Sequence, residues 1–205
     1  MYDSWPSLSS SQARLKRCFD FGLALCCLSA SGWLILIAWL LASIDTKSNG
    51  FFVQKRVGKG GQCFQVIKIK TMRPNQIVLT TVTQSSDPRI TLLGRFFRKT
   101  KIDELPQLFN VLLGQMSFVG PRPDVPGYAD KLQGKERCIL DLRPGITGPA
   151  TLAYRNEEEI LTNVQDPVQY NDKVIYPHKV RLNLEYIDNY SFWSDIYYIR
   201  QTICH

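Results

Sequence analysis

Residues 18–44 read CFDFGLALCCLSASGWLILIAWLLASI, and this stretch decides the fold. From Phe21 to Ile44 it runs for 24 residues without Asp, Glu, Lys or Arg, whereas the rest of the chain is much more polar. A helix of that length measures about 36 Å, and the hydrocarbon core of a bilayer is about 30 Å thick. The stretch is too long for a signal peptide and ends in no small-x-small cleavage site. It therefore predicts a helix inserted in a membrane.

Basic residues flank this helix on both sides, with Arg14, Lys16 and Arg17 before it and Lys47 after it. The positive-inside rule therefore selects no orientation. A re-entrant helix, which enters and leaves by the cytoplasmic face, satisfies the rule at both ends, and residues 29–32 (SASG) offer small and polar positions for a bend. A straight span whose small residues pack against another helix explains the same residues. The sequence leaves both topologies open.

The length and composition suit one domain with one appended element. The chain has 205 residues, 44% of them hydrophobic, which is typical of a globular protein. We divide it into an N-terminal segment with the membrane helix, residues 1–48, and a polar domain, residues 49–205.

The net charge of +7 favours an anionic partner, which could be nucleic acid, a membrane surface or a phosphorylated substrate. None of the six cysteines forms a C-x-x-C pair, which indicates reduced thiols facing the cytoplasm.

The polar domain begins with a predicted β-hairpin. Residues 51–57 (FFVQKRV) and 63–69 (CFQVIKI) favour strands, and residues 58–61 (GKGG) favour a turn between them. Period-two alternation places Lys68 and Lys70 on one face. Such a pair is either a solvated edge or two cations that face a phosphate.

Residues 91–100 (TLLGRFFRKT) predict a basic amphipathic helix. Its Phe96 and Phe97 beside Arg95 and Arg98 are typical of a helix that rests on a membrane surface. An ordinary helix that packs on the core explains the same pattern.

An acidic pair, Asp103 and Glu104, follows directly in the run IDELPQLFNVLLG, residues 102–114. Asp103 is a good N-cap, Pro106 is tolerated in a first turn and Gly114 suits a helix end, so a helix is predicted to begin at the acidic pair. Capping alone explains the pair without any chemistry.

Two prolines fix the chain around Arg122 in residues 119–123 (VGPRP), and Arg143 precedes a similar corner in residues 143–149 (RPGITGP). Rigid neighbours hold a guanidinium ready to bind phosphate. Two such corners in one small domain indicate an anionic substrate.

The run DELPQLFNVLLGQMSFVGPRP, followed by RPGITGPA, closely resembles the bacterial sugar transferase family, the monotopic polyprenyl-phosphate phosphoglycosyl transferases of glycan assembly. The resemblance covers nearly the whole chain, through further blocks at residues 16–20, 51–58, 67–72, 87–91 and 186–202. It implies a minimal α+β member at the bacterial inner membrane. This member would have one re-entrant helix and a small cytoplasmic catalytic domain, with a hairpin or short sheet and several helices, some on the membrane surface. The family helix is broken at a Ser-Pro pair, where this chain has Gly32-Trp33.

The resemblance also implies a mechanism and a site. Asp103 would attack the β-phosphate of a UDP-sugar and release UMP, and a polyprenyl (undecaprenyl) phosphate would then take the phosphosugar from the aspartyl intermediate. Mg²⁺ would be held by Glu104 and Asp103. The residues assigned to substrate phosphate and nucleotide are Lys68, Lys70, Arg89, Arg122 and Arg143.

The expected partners are the UDP-sugar, the polyprenyl phosphate and membrane lipid. The sequence is also compatible with a homodimer, and nucleic acid is not an expected partner. One alternative is a membrane glycosyltransferase that moves a whole sugar. Another is a non-enzymatic, membrane-tethered basic binding protein, which explains the charge but not the acidic pair. The sequence does not identify the sugar.

Overall fold

The computed structural model describes residues 8–73 and 87–204, and it has the predicted α+β architecture. A long N-terminal helix precedes a small domain with two two-stranded sheets and several short helices. The elements are α1 (Ser10–Thr46), β1 (Phe51–Val57), β2 (Cys63–Ile69), α2 (Leu92–Thr100), α3 (Gln107–Leu112), β3 (Ser117–Val119), β4 (Gly145–Thr147), α4 (Pro149–Ala153), α5 (Glu157–Thr162), α6 (Pro167–Tyr170), α7 (Tyr176–Asp188) and α8 (Phe192–Cys204). The division at residue 48 falls between α1 and β1 and stays a prediction, since residues 1–7 lie outside the described ranges.

Helix α1 is long and apolar enough to cross a membrane. It begins at a capping box, in which Ser9 accepts a hydrogen bond from the backbone of Gln12. The helix continues through Gly32, where the resemblance implies a break. No proline interrupts its backbone hydrogen bonds there, and the hydroxyls of Ser29 and Ser31 donate to carbonyls four residues earlier. A re-entrant path therefore stays a prediction.

One stripe of α1 packs against the rest of the domain over most of its length. The buried residues recur at helical spacing and are Lys16, Asp20, Ala24, Ile35, Ala38, Ala42 and Thr46. Ala24 lies in a core cluster with Met116, and Ala38 lies in another with Ile69 and Phe97. Both halves of the helix therefore contact the same polar domain.

Charged side chains fasten the start of α1. Lys16 forms a buried ion pair with Asp195 of α8, with Nζ and Oδ2 separated by 2.5 Å. Arg17 donates to the carbonyls of Val111 and Leu112, which are the last residues of α3. The resemblance block at residues 16–20 is thus a set of structural anchors.

The first sheet is the predicted hairpin, with the predicted strand bounds. β1 and β2 pair antiparallel, and Gly60 and Gly61 adopt positive φ in the turn. This conformation favours glycine, so the glycine-rich turn and the alternating strands together specify the register.

The second sheet joins the two proline corners. β3 and β4 run parallel, and the backbones of Gly120, Gly145 and Gly148 approach so closely that an added Cβ would clash at each position. The two corners therefore support each other, and Arg122 and Arg143 leave this unit in different directions.

Helix α2 forms where it was predicted, capped by Thr91. The expectation that both phenylalanines face a membrane is wrong for Phe97, which is buried with Ile69 of β2 and Ala38 of α1. Phe96 is 54% exposed and Leu92 is 84% exposed. The outer side of α2 is therefore still apolar.

Candidate active site

The acidic pair lies in a 3₁₀ turn, Ile102–Glu104, between α2 and α3. The prediction of one helix from Asp103 to Gly114 is wrong at its start, because Lys101 adopts left-handed geometry and α3 begins only after Pro106. The predicted end is confirmed, since α3 stops at Leu112 and Gly114 has a φ of 81°. The turn allows the two acidic side chains to leave the backbone toward different surroundings.

Asp103 is buried, and its Oδ1 has no hydrogen-bond partner among residues 8–73 and 87–204. It caps neither the turn nor α3, so the capping explanation of this residue is wrong. Burial, and then the neighbouring charge of Glu104, raise its pKa to about 6. A buried carboxylate oxygen without a partner costs free energy, and such groups concentrate at sites that bind or react.

Glu104 stands in contrast, because two cations hold it. Its Oε1 accepts from Lys68 Nζ at 2.7 Å and from Arg122 Nη2 at 3.3 Å. Burial alone would raise the pKa of Glu104, but Lys68 and Arg122 outweigh burial and hold this pKa well below its usual range. The structure therefore joins Lys68 of β2 and Arg122 of the proline corner at one carboxylate.

The other predicted phosphate ligands contact different groups. Lys70 donates to Ser48 at 2.9 Å, beyond the end of α1. Arg89 pairs with Asp87, with Nη2 and Oδ2 separated by 2.6 Å. Arg143 donates to the carbonyl of Gly114 at 2.7 Å, at the opposite end of α3 from the acidic pair. Their assignment to substrate stays a prediction.

Arg56 of β1 is a site neighbour that the sequence did not reveal. Its Nη1 donates to the carbonyl of Pro123 at 3.0 Å, so it holds the proline corner in place. Burial and the nearby charge of Arg122 lower the pKa of Arg56 to about 10. Its position at the end of a predicted strand gave no signal of this contact.

Asp124, which follows the Pro-Arg-Pro corner, was also missed. Its carbonyl accepts from the N–H of Val57 at 2.8 Å. Burial raises the pKa of its carboxyl to about 6, although the charges of Lys179, Arg56 and Arg122 oppose the rise. The residues beside the acidic pair thus form a dense set of half-buried charges.

The first residues of α5 complete the wall of the site. Glu158 pairs with Arg98 of α2 at 3.0 Å, and Glu157 pairs with Lys179 of α7 at 2.6 Å. These pairs tie the C-terminal helices to the elements that carry the acidic pair.

A metal at this site would have few protein ligands. Within the described ranges, no group of three or more His, Cys, Asp or Glu side chains is placed to hold an ion. The acidic pair offers two carboxylates, one of which has an unsatisfied buried oxygen. This donor set fits Mg²⁺, which proteins often hold by one or two carboxylates together with substrate phosphate.

The chain belongs to the bacterial sugar transferase family, whose model matches residues 11–205. The family resemblance of the motifs is thereby confirmed.

Three relatives show how far the similarity extends. The exopolysaccharide production protein ExoY of Sinorhizobium fredii is 31% identical over 92% of this chain and 83% of its own length. The UDP-glucose:undecaprenyl-phosphate glucose-1-phosphate transferase of Escherichia coli K12 is 34% identical over 99% of this chain and 42% of its own length. The undecaprenyl-phosphate glucose phosphotransferase of Komagataeibacter xylinus is 37% identical over 92% of this chain and 35% of its own length. This chain therefore spans less than half of the last two proteins.

Proposed function

We propose that the protein moves a sugar 1-phosphate from a UDP-sugar to undecaprenyl phosphate and releases UMP, as the first membrane step of bacterial glycan assembly. The observation that carries this proposal is the buried carboxylate of Asp103, whose Oδ1 has no hydrogen-bond partner among the described residues, beside the cluster of Lys68, Glu104 and Arg122. The family match and the names of the relatives support the reaction type.

The reaction proceeds in two displacements at phosphorus. First, a carboxylate oxygen of Asp103 attacks the β-phosphorus of the UDP-sugar, the bond from that phosphorus to the bridging oxygen breaks, and UMP leaves. An oxygen of undecaprenyl phosphate then attacks the same phosphorus, and the bond to Asp103 breaks. The carboxylate is restored and undecaprenyl diphosphate sugar forms. A carboxylate nucleophile lets a water-soluble and a lipid substrate use one site in turn.

The charges around the acidic pair suit this chemistry. With a pKa of about 6, Asp103 is mostly ionised at neutral pH and needs no base to remove a proton. Lys68 and Arg122 both pair with Glu104, the residue next to Asp103. From there they stabilise negative charge on the transferred phosphoryl group. Glu104 keeps both cations in position.

Asp103 and Glu104 would hold a Mg²⁺ ion together with substrate phosphate. When bound, the ion neutralises phosphate charge and polarises the phosphoryl oxygens. The unsatisfied oxygen of Asp103 supports this assignment.

We also propose that the domain stays on the cytoplasmic side of the inner membrane and that α1 enters and leaves by that side. Lys16 pairs with Asp195 near one end of α1, and Ala42 packs in a cluster with Ile69 and Phe97 near the other end, so both ends contact the same domain. A polar domain that contacts both ends cannot lie on both sides of a bilayer. The exposed apolar side chains of α1 would then enter the membrane, and they are Leu15, Phe21, Leu25, Trp33, Leu36, Ile37, Leu40, Leu41 and Ile44.

The test measures nucleotide release by detergent-purified protein with a panel of UDP-sugars, undecaprenyl phosphate and Mg²⁺. We expect UMP with at least one sugar, a covalent phosphosugar adduct in the intact mass when the acceptor is omitted, and loss of both in Asp103→Asn.

The same assay separates the alternatives. Release of UDP would mean transfer of a whole sugar. Turnover that survives in Asp103→Asn would exclude the covalent mechanism. Binding without release of any nucleotide would favour a non-enzymatic binding protein.

A further inference from the structure

Lys101 lies between α2 and the acidic pair, and the proposed mechanism gives its side chain no task. The residue is exposed, and no hydrogen bond or ion pair within residues 8–73 and 87–204 holds its ammonium group. Lys68 and Arg122, by contrast, are both bound to Glu104. Lys101 is therefore a cation beside the site that remains available to a ligand.

The backbone of Lys101 has a conformation that disfavours lysine. Its φ of 57° and ψ of 16° are left-handed, a conformation that is unfavourable for a residue with a Cβ. Its carbonyl accepts from the N–H of Glu104 at 3.1 Å, so the residue begins the turn that carries the acidic pair. Glycine would meet this backbone requirement better, so the requirement does not explain a lysine here. What lysine adds is its side chain.

The position of Lys101 indicates what that side chain meets. Its charge acts on both Asp103 and Glu104. It follows α2, whose Leu92 and Phe96 expose an apolar side, and α2 packs against the membrane helix through Phe97. Lys101 thus stands where the apolar side of α2 ends and the acidic pair begins.

We propose that Lys101 binds the phosphate of the lipid acceptor during the second displacement. The inference rests on the proposed function, in which the acceptor is a phosphomonoester whose hydrocarbon chain stays in the membrane. Its phosphate therefore reaches Asp103 from the membrane side, past the end of α2. Two anions, the acceptor phosphate and the phosphosugar, must come together there, and an ammonium group with three rotatable donors offsets their repulsion.

The two displacements can be measured separately, which isolates the role of Lys101. Without acceptor, a single turnover of the UDP-sugar reports the first displacement as a stoichiometric burst of UMP. With acceptor in mixed micelles, steady-state turnover at varied undecaprenyl phosphate reports the second. We expect Lys101→Gln to keep the burst rate within about threefold and to raise the KM for the acceptor at least tenfold.

Three matched variants separate the amine from the backbone. Lys101→Gly relieves the left-handed strain but lacks the amine, so it should show the same rise in acceptor KM as Lys101→Gln. Lys101→Arg keeps a positive charge and should restore most of the affinity for the acceptor. Lys99→Gln removes an exposed charge two residues earlier and should stay within twofold of wild type.

Several results would overturn the inference. An unchanged acceptor KM in Lys101→Gln, or full activity in Lys101→Gly, would reduce Lys101 to its backbone role. Equal effects of Lys99→Gln and Lys101→Gln would indicate general attraction to the micelle surface. In each case wild-type turnover would leave the proposed function standing, whereas a wild-type protein that releases no UMP would overturn both.

Discussion

At the scale of one residue, Asp103 is a site residue whose buried carboxylate lowers the stability of the fold. The side chain is buried with an oxygen that no group among the described residues satisfies. Its neighbour Glu104 is also a carboxylate but is held by Lys68 and Arg122. The two carboxylates therefore differ, since Asp103 keeps an unsatisfied oxygen and Glu104 is held by two cations.

Asp103→Asn should therefore be more stable than wild type while it loses turnover. The pKa of Asp103 is raised from 3.8 to about 6, so its ionised form is disfavoured in the folded state. Each pKa unit corresponds to about 1.4 kcal/mol, so a neutral amide should raise the free energy of unfolding by on the order of 3 kcal/mol at pH 7.5. Urea unfolding in mild detergent, with a chelator present, measures the change. The exposed Asp141→Asn serves as a control that should change little, and a less stable Asp103→Asn would mean that the carboxylate has a stabilising partner.

Asp124 predicts a pH dependence of stability. Its folded pKa of about 6 lies above the ordinary value of 3.8, so the folded state binds the proton more tightly than the unfolded chain does. The resulting stabilisation is fully present below the unfolded pKa and is lost as the pH rises through the folded pKa. When the pH rises from about 4 to 7, the free energy of unfolding of wild type should therefore fall by on the order of 1–2 kcal/mol more than that of Asp124→Asn. Parallel pH profiles of the two proteins would contradict this prediction.

Residue chemistry explains which site members could be predicted from the sequence. Lys68 and Arg122 were recognised because alternation and flanking prolines preset their directions, and both reach Glu104. Arg143 had the same local signature, yet its guanidinium turns to the carbonyl of Gly114. Arg56 acts through a backbone carbonyl 67 positions away, and no local pattern encodes such a contact.

At the scale of elements, the parallel pair β3 and β4 holds the site together through glycines rather than through side chains. Gly120, Gly145 and Gly148 let two backbones meet where any Cβ would clash. This close backbone contact stabilises the proline corner that carries Arg122. The second proline corner is therefore a support for the first.

Gly145→Ala should accordingly be severely destabilising. Its Cβ would clash with the backbone of Gly120 and Thr147, so β3 and β4 would have to separate, at a cost of about 3 kcal/mol or more. Gly22→Ala is the matched control, because nothing lies within 4 Å of the added Cβ on α1. The control should be neutral or slightly stabilised, since alanine favours a helix. Thermal unfolding of both variants in the same detergent gives the comparison, and equal melting temperatures would show that the sheet contact is loose.

The elements themselves were predicted unevenly, for physical reasons. The hairpin was predicted to the residue because alternation and a glycine turn are local signals. The start of α3 was predicted four residues early, because the left-handed Lys101 directs the chain into a 3₁₀ turn before Pro106. The burial of Phe97 and the exposure of Phe96 depend on which side of α2 meets α1, and only tertiary packing decides that.

At the scale of the whole molecule, α1 belongs to both the membrane and the core. Its buried stripe contacts β2, α2, α3 and α8, while its opposite side exposes large apolar residues. The helix with this exposed apolar side is thus connected directly to the turn that carries the acidic pair, since Ile102 packs in the same cluster as Ala38.

This arrangement predicts the labelling pattern of the two ends of α1. With the domain on the proposed cytoplasmic side of the inner membrane, Arg14→Cys and Lys47→Cys in a cysteine-free background should both react with a membrane-impermeant maleimide in inverted vesicles, and neither should react in intact spheroplasts. The reason is that the domain contacts both ends and therefore lies on the same side of the membrane as both. Reaction of Arg14→Cys from outside the cell would show that α1 crosses the bilayer. Lys59→Cys, in the exposed hairpin turn, marks the side of the domain.

The shared use of α1 also bears on how the protein is made. The helix is synthesised before every strand of the domain, and ribosomes present its apolar side chains to the membrane machinery first. Until α1 is in place, Ile69, Phe97 and Met116 have no complete core to enter. The core of the domain and the candidate site therefore both depend on α1, so a truncated chain without α1 should expose these residues and aggregate.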